Sequence, residues 1–399
     1  MKNIKELANN YFEEIKQVRR ELHKTPEIAF NLHRTREIIS NALEGYGYKP
    51  EYPAGSGIIT VIGNSDGGKT VLLRADMDGL NIPEETELEF ASINGCMHAC
   101  GHDIHSAILL GVAKILKEFE NEINGKIVLL FQPAEETLSG AKTMLESGII
   151  EHFKPDLAIS LHVLPDNNFK EGSIIIPPAG IISPAACLFE IEVKGKGAHG
   201  AMPENSIDPI IIASSIVLSL QEIIARELPS ASDGRLTFGK FASGDAANII
   251  PNSALLCGSF RSTNQFEMDY IKKRTKEISS LIAESFRGEG KFKIVSECPS
   301  LKIDKGLREF CLKTLENTFD KELIINNLQS GSSSGSEDFA YFTQVMPSLF
   351  LSLVASSNGY PLHHPKLIIN EGCIKNGITA IAEISLSAVN GKNYQRKAY

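Results

Sequence analysis

Asn94-Gly95-Cys96-Met97-His98-Ala99-Cys100-Gly101-His102-Asp103-Ile104-His105-Ser106 puts two thiols, three imidazoles and a carboxylate within thirteen positions, directly ahead of an apolar helical pattern. Each of these side-chain types can ligate a borderline-soft ion such as zinc. The stretch has company. Pro133-Ala134-Glu135-Glu136 follows one hydrophobic run, Leu161-His162-Val163 closes another, and His363-His364 lies near the C-terminus. Ligand types recurring at the ends of successive expected strands place a ligand site along the edge of an α/β sheet.

Working outward, residues 4–24 and 33–46 show helical spacing, broken by Thr25-Pro26-Glu27. Strands are expected over 57–62 and 70–74, flanking an Asn64–Lys69 turn, then a helix over about 103–120 and a strand over 126–131. A helix near 139–147 and a strand over 157–161 follow. Such alternation argues for a sheet with helices on its faces. After Pro184 the order becomes strand 187–194, helix 209–227, strands 235–241 and 254–261, helix 267–286 and strand 291–297. That is β-α-β-β-α-β, the order of a ferredoxin-like unit. Alternation resumes with a helix over 304–318, strands near Leu323 and over 348–354, and a last helix over 371–388. The expected organisation is therefore a discontinuous α/β domain, 1–183 with 298–399, interrupted by an α+β insert over 184–297. A Ser/Gly-rich patch at 330–336 reads as a loop.

The bulk numbers agree. At 399 residues, 42% hydrophobic and 22% charged, the chain can bury a sizeable core. A net charge of −9 and no basic run longer than Lys272-Lys273-Arg274 argue against a nucleic-acid partner. Seven scattered Cys fit a reducing compartment better than a disulfide framework, so the cytoplasm is expected. The N-terminus reads as an amphipathic helix rather than a signal peptide. The most apolar segment, 207–220, reads as too short and too polar to span a bilayer, so no membrane partner is expected.

Several residues could carry chemistry. Cys100 and His102 stand at an expected helix start, where the positive dipole end favours a thiolate. His105, one turn on, could support the ligands, while His98 and Cys96 read as structural. Adjacent Glu135 and Glu136 can point differently, so that one binds metal while the other handles protons. Taken singly, Glu135-Glu136 could be an acidic helix start, His162 a polar strand cap, and Asp76 and Asp78 a polar strand end.

The motifs Arg74-Ala75-Asp76-Met77-Asp78-Gly79-Leu80, Met97 to His105, Phe131 to Glu136, Leu161-His162-Val163, Gly197 to Pro203, Ser336-Glu337-Asp338-Phe339 and Leu362-His363-His364-Pro365 occur in that order. Together they resemble the amidohydrolase branch of the zinc aminoacylase/carboxypeptidase superfamily, along nearly the whole chain. The resemblance implies a zinc-exopeptidase-like α/β catalytic domain with an inserted ferredoxin-like lid that serves dimerisation. It implies cleavage of N-acyl amino acids to a carboxylic acid and a free amino acid, with two divalent ions, zinc first and manganese, cobalt or nickel as substitutes. Their ligands would be Cys100, His102, Glu136, His162 and His363, the last chosen over His364 by the family's His-x-Pro pattern. Glu135 would be the general base, and Asp76 and Asp78 supporting carboxylates. Asp76 stands where other branches place a metal-binding His. From the insert, His199 would stabilise the oxyanion of a neighbouring subunit's site, and Asn248 and Arg261 would hold the substrate carboxylate. The rivals are a dipeptidase or carboxypeptidase on the same scaffold, and a non-catalytic metal-binding protein. A structural zinc module would want its ligands in one local segment.

Overall fold

In the computed structural model, which describes residues 3–63, 68–327 and 335–391, the first expected helix is α1 (Ile4–Lys24). The Asn3 side chain caps it by accepting from the N–H groups of Lys5 and Glu6, and Ile4, Ala8, Ile15 and Leu22 form its buried stripe. Helix α2 (His33–Gly45), strands β1 (Ile58–Ile62) and β2 (Lys69–Asp76), helix α3 (His102–Glu118) and strands β3 (Gly125–Gln132) and β4 (Leu157–Pro165) follow. Strand β4 runs past the expected end at Leu161, so His162 lies inside a strand rather than after one. Residues 64–67 of the expected turn and 330–334 of the Ser-rich patch lie outside the described residues.

The chain divides into two compact units. One comprises the described residues of Met1–Ile182, Lys302–Gly331 and Asp338–Tyr399, the other those of Ser183–Leu301 and Ser332–Glu337. In the second unit, β5 (Ala185–Lys194), α4 (Pro209–Glu222), β6 (Arg235–Ser243), β7 (Ser253–Ser262), α5 (Gln265–Ser285) and β8 (Glu289–Cys298) build an antiparallel sheet in the order β8-β5-β7-β6. Along β5, Ala185, Cys187, Phe189, Ile191 and Val193 are buried with α4 and α5 residues, while Leu188 and Glu192 are exposed. This alternation marks a sheet packed on one face only. Helix α4 continues as a π turn over Ile223–Glu227. The resulting stretch Pro209–Glu227 is long and apolar enough to cross a membrane by length and composition, against the expectation from 207–220. Its Ile212, Ala213, Ile216 and Leu220 are buried in this unit's core.

The first unit resumes with a helix over Lys305–Glu316, continues through β9 (Ser348–Ala355) and closes with α6 (Ile374–Val389). Its seven-stranded sheet runs β1-β3-β2-β4-β9, then the two-residue strands Ile174–Ile175 and Ile324–Ile325. The pairs β2/β3, β2/β4 and β4/β9 are parallel. These central strands are near-continuous buried runs, as a sheet covered on both faces requires. Helix α3 is almost wholly buried; each fully enclosed side chain such as Ile104, Leu110 or Leu116 contributes about 1.5–3 kcal/mol. The packing thus fixes the C-terminal ends of β2, β3 and β4 beside the start of α3.

Candidate metal centre

Strand ends and a helix start bring the donors together. Asp76 ends β2 and Asp78 follows it. Cys100 lies just ahead of α3 and His102 opens it, Glu135 and Glu136 follow β3, His162 lies on β4, and His363 belongs to the loop after β9. Three of the joining loops pass through left-handed backbone. Gly101 has φ 83°, and at this position a Cβ would come within 2.4 Å of Val163 Cγ2. Ala134 (φ 57°) and His363 (φ 66°) adopt the same region without being glycine, a conformation that costs about 1–2 kcal/mol per residue. The turn at Ala134 aims Glu135 and Glu136 inward. At the last loop, the His363 N–H donates to the Ala99 carbonyl at 2.9 Å, tying the loop to the Cys100 segment.

The Cys100 sulfur is the hub. His162 Nε2 lies 3.4 Å from it and His363 Nε2 3.3 Å. Glu136 Oε1 is 3.6 Å from His363 Nε2 and 3.8 Å from His102 Nε2. Cys100, His102 and His162 form one set of converging donor atoms, and Cys100, Glu136 and His363 another; His102, Glu135 and Glu136 also converge. Neither His102 Nε2 nor Glu136 Oε1, both buried, has a hydrogen-bond partner among the described residues. Buried polar atoms are normally satisfied, so two orphans facing one another signal a missing partner. Thiol, imidazole and carboxylate donors fit a borderline divalent ion.

Surrounding bonds hold the donors in place. His102 Nδ1 donates to the Asp78 carbonyl at 2.9 Å, so the neutral ring carries its lone pair on Nε2. The Asp78 carboxylate accepts the N–H groups of Glu135 and Glu136 at 3.1 and 3.2 Å. His162 Nδ1 donates to the Val163 carbonyl at 2.6 Å, turning its Nε2 toward Cys100. His364, by contrast, accepts the Lys366 N–H on Nδ1 and stacks on Tyr360. His98 and Cys96 enter none of the donor sets among the described residues.

Electrostatics corrects one expectation. Burial pushes the Cys100 thiol well above its ordinary value, overriding the opposing pull of His102, and Glu136 and Glu135 add to the rise. A thiolate here therefore needs a cation beside it. Burial likewise raises Glu136, although His102 and His363 oppose it, and presses His162 down to about 3. For His102, burial acts downward, but Asp76 and Cys100 outweigh it and raise the group.

Arg74, Gln132 and Asp338 form a buried scaffold to which residue patterning assigned no role. Arg74 donates to Asp76 at 2.6 Å, to Asp338 at 2.7 Å and to Gln132 at 2.9 Å. Their only prior signal was membership of the quoted motifs. His199, Asn248 and Arg261 belong to the second unit. His199 pairs with Ile249 in a short ladder, and the Gly200 N–H donates to the Asn248 carbonyl at 2.8 Å. Arg261, on β7, donates to Ser336 Oγ at 3.3 Å.

Residues 72–387 match the profile of Peptidase family M20/M25/M40. The chain is 35% identical over 390 residues to a protein of Arabidopsis thaliana named IAA-amino acid hydrolase ILR1-like 2, covering 96% of this chain and 86% of that one. It is 34% identical to N-acetyl-L-cysteine deacetylase of Bacillus subtilis over 359 residues, 90% of this chain and 84% of that one. Among solved structures, a Bacillus subtilis protein described as a dinuclear metal binding peptidase from the M20 family aligns with a TM-score of 0.78 and 26% identity, over 96% of this chain and 99% of that one. With the profile spanning most of its length and relatives above 30% identity along nearly all of it, the chain belongs to Peptidase family M20/M25/M40.

Proposed function

We propose that the protein is a metal-dependent amidohydrolase that cleaves an N-acyl amino acid into a carboxylic acid and a free amino acid. The observation that carries this reading is the pair of donor sets meeting at Cys100, with the orphaned His102 Nε2 and Glu136 Oε1 between them. The named activities of the relatives support it: one hydrolyses amino-acid conjugates, another deacetylates an acetylated amino acid.

In this reading Cys100, His102 and His162 would hold one divalent cation, and Cys100, Glu136 and His363 would hold a second. Zinc suits the thiolate best, with manganese, cobalt or nickel as substitutes. When bound, such ions supply Lewis-acid polarisation of the amide carbonyl and acidify the attacking water. The chain's own residues do the rest. Glu135 takes the proton from the water and returns it to the leaving amine. Asp78 fixes that glutamate by holding its N–H, and orients His102 through its carbonyl. His199 would stabilise the oxyanion of a neighbouring subunit's site, while Asn248 and Arg261 would hold the substrate carboxylate; the guanidinium fork suits that group. Association of two copies through the second unit belongs to the same reading, supported by the exposed Ile211 and Leu218 of α4.

The test is turnover of acetyl-, benzoyl- and indoleacetyl-amino acids against free dipeptides, after chelation and reloading with each metal. Turnover of the acylated amino acids that vanishes on chelation and returns on reloading is expected. Activity confined to dipeptides would replace the reading with a peptidase, and activity surviving exhaustive metal removal would end it.

A further inference from the structure

Asp76 lies beside His102, with its Oδ1 3.9 Å from Nδ1, but both of its oxygens are engaged elsewhere. Its Oδ1 accepts from His105 Nδ1 at 2.6 Å and its Oδ2 from Arg74 Nη1 at 2.6 Å. Arg74 is in turn held by Asp338 and Gln132, and Gln132 Nε2 donates to both Asp338 oxygens at 2.8 and 2.9 Å. Every member of this chain is buried. On its far side, His105 Nε2 accepts the N–H of Val163 at 2.8 Å. Because a backbone amide can only donate, Nε2 carries the lone pair, and the proton sits on Nδ1 facing Asp76.

The place of that bond is informative. The β2/β4 ladder ends at Arg74 with Ser160, although β2 stays paired with β3 as far as Asp76. Three residues further along β4, the Val163 N–H donates to His105 instead of to a strand. The imidazole thus extends the hydrogen bonding of β4 past its last backbone pair with β2, while β9 stays paired on the other side as far as Pro165. The same peptide neighbourhood carries His162, whose Nδ1 donates to the Val163 carbonyl and whose Nε2 faces the Cys100 sulfur. Both His105 nitrogens are engaged, so it has no lone pair to offer an ion, although it converges with Asp76 and His102.

We propose that His105 is a positioning residue: clamped in its Nδ1–H tautomer by the Asp338–Arg74–Asp76 chain, it anchors the Val163 N–H and thereby aims His162 into its donor set. This rests on the metal-binding reading given above. It separates the two sets, because the clamp acts on the set holding His162 and leaves the one holding Glu136 and His363 alone. Asp76 accordingly holds the clamp in place of ligating an ion.

The experiment has two arms. Apoprotein is titrated with Zn2+ against a chromophoric chelator in the wild type, His105→Leu and His105→Gln; the glutamine amide can still accept from Val163 and donate to Asp76. Removing such a supporting bond is expected to weaken one of the two equivalents by about 10–100-fold in the leucine variant. The other equivalent, coupled to the first only through the shared Cys100 sulfur, changes far less, and the glutamine variant recovers most of the loss. In parallel, long-range 1H–15N spectra of 15N-histidine-labelled wild-type apoprotein are expected to show His105 as the Nδ1–H tautomer. Two unchanged equivalents in a folded leucine variant, or equal losses in both variants, would overturn the proposal. An Nε2–H tautomer would overturn it whether or not the leucine variant folds. Wild-type protein that binds no Zn2+ would instead defeat the metal reading, while the tautomer arm still decides the clamp.

Discussion

His363 Nε2 lies 3.3 Å from the Cys100 sulfur although 263 positions separate the two residues. Ala99 accepts the His363 N–H beside that contact, so the C-terminal loop is fastened at the point where its imidazole is needed. His363→Ala is expected to remove one of two bound ions, read by inductively coupled plasma mass spectrometry after gel filtration. His364→Ala, whose ring turns toward Tyr360, is expected to keep both. Full metal content in His363→Ala would refute the assignment.

Glu135 should separate binding from turnover. Glu135→Gln retains size and the N–H bond to Asp78 but cannot take a proton. Turnover is expected to fall by about 10²–10⁴-fold with metal content near normal. Undiminished kcat would remove Glu135 from the role of base.

The turn at Gly101 makes a stability prediction. Gly101→Ala meets both a left-handed φ of 83° and Val163 Cγ2 at 2.4 Å. The expected loss is about 2–4 kcal/mol in urea unfolding, from backbone strain and overpacking together. Ala134→Gly works the other way: it relieves a left-handed alanine and is expected to leave stability unchanged or raised by up to about 1 kcal/mol.

His23 carries a pH prediction away from the donor sets. Burial and Arg19 push its pKa down, but Asp103 at 2.7 Å and Glu84 at 3.2 Å outweigh them and raise it above the ordinary histidine value. A raised folded-state pKa means that charged His23 stabilises the fold fully below the unfolded value, near 6.5. That contribution fades as pH climbs through the folded value. The stability gap between wild type and His23→Gln is therefore expected to be widest in mildly acidic buffer and to narrow in alkaline buffer, measured by urea unfolding across the range. A gap that widens with rising pH would contradict the charged assignment.

The crowding of donors from Cys96 to His105 was legible because metal-ligand chemistry needs specific side chains, and few other demands gather them so densely. Helices such as α1 showed through their buried stripe, and the β-α-β-β-α-β order of the second unit through alternation. What stayed hidden depended on distance in the chain or on burial. Nothing local ties Arg74 to Asp338, which meet only once the sheet is built. The strands Ile174–Ile175 and Ile324–Ile325 are too short to show a period. The Cys100 thiol went the opposite way to the dipole argument because the depth of its burial is a property of the fold. His363 and His364 are chemically identical neighbours, which the fold tells apart by a left-handed backbone at the first and a ring stacked on Tyr360 at the second.

One sulfur, Cys100, belongs to both donor sets. Occupancy in one set then alters the electron density offered to the other, and two cations sharing an atom repel. Under scarce metal such a protein would accumulate singly loaded molecules in place of a mixture of full and empty ones. Activity would then follow the second loading step, rising only after the first equivalent is taken up and over a broader range of added ion than two independent sites would give.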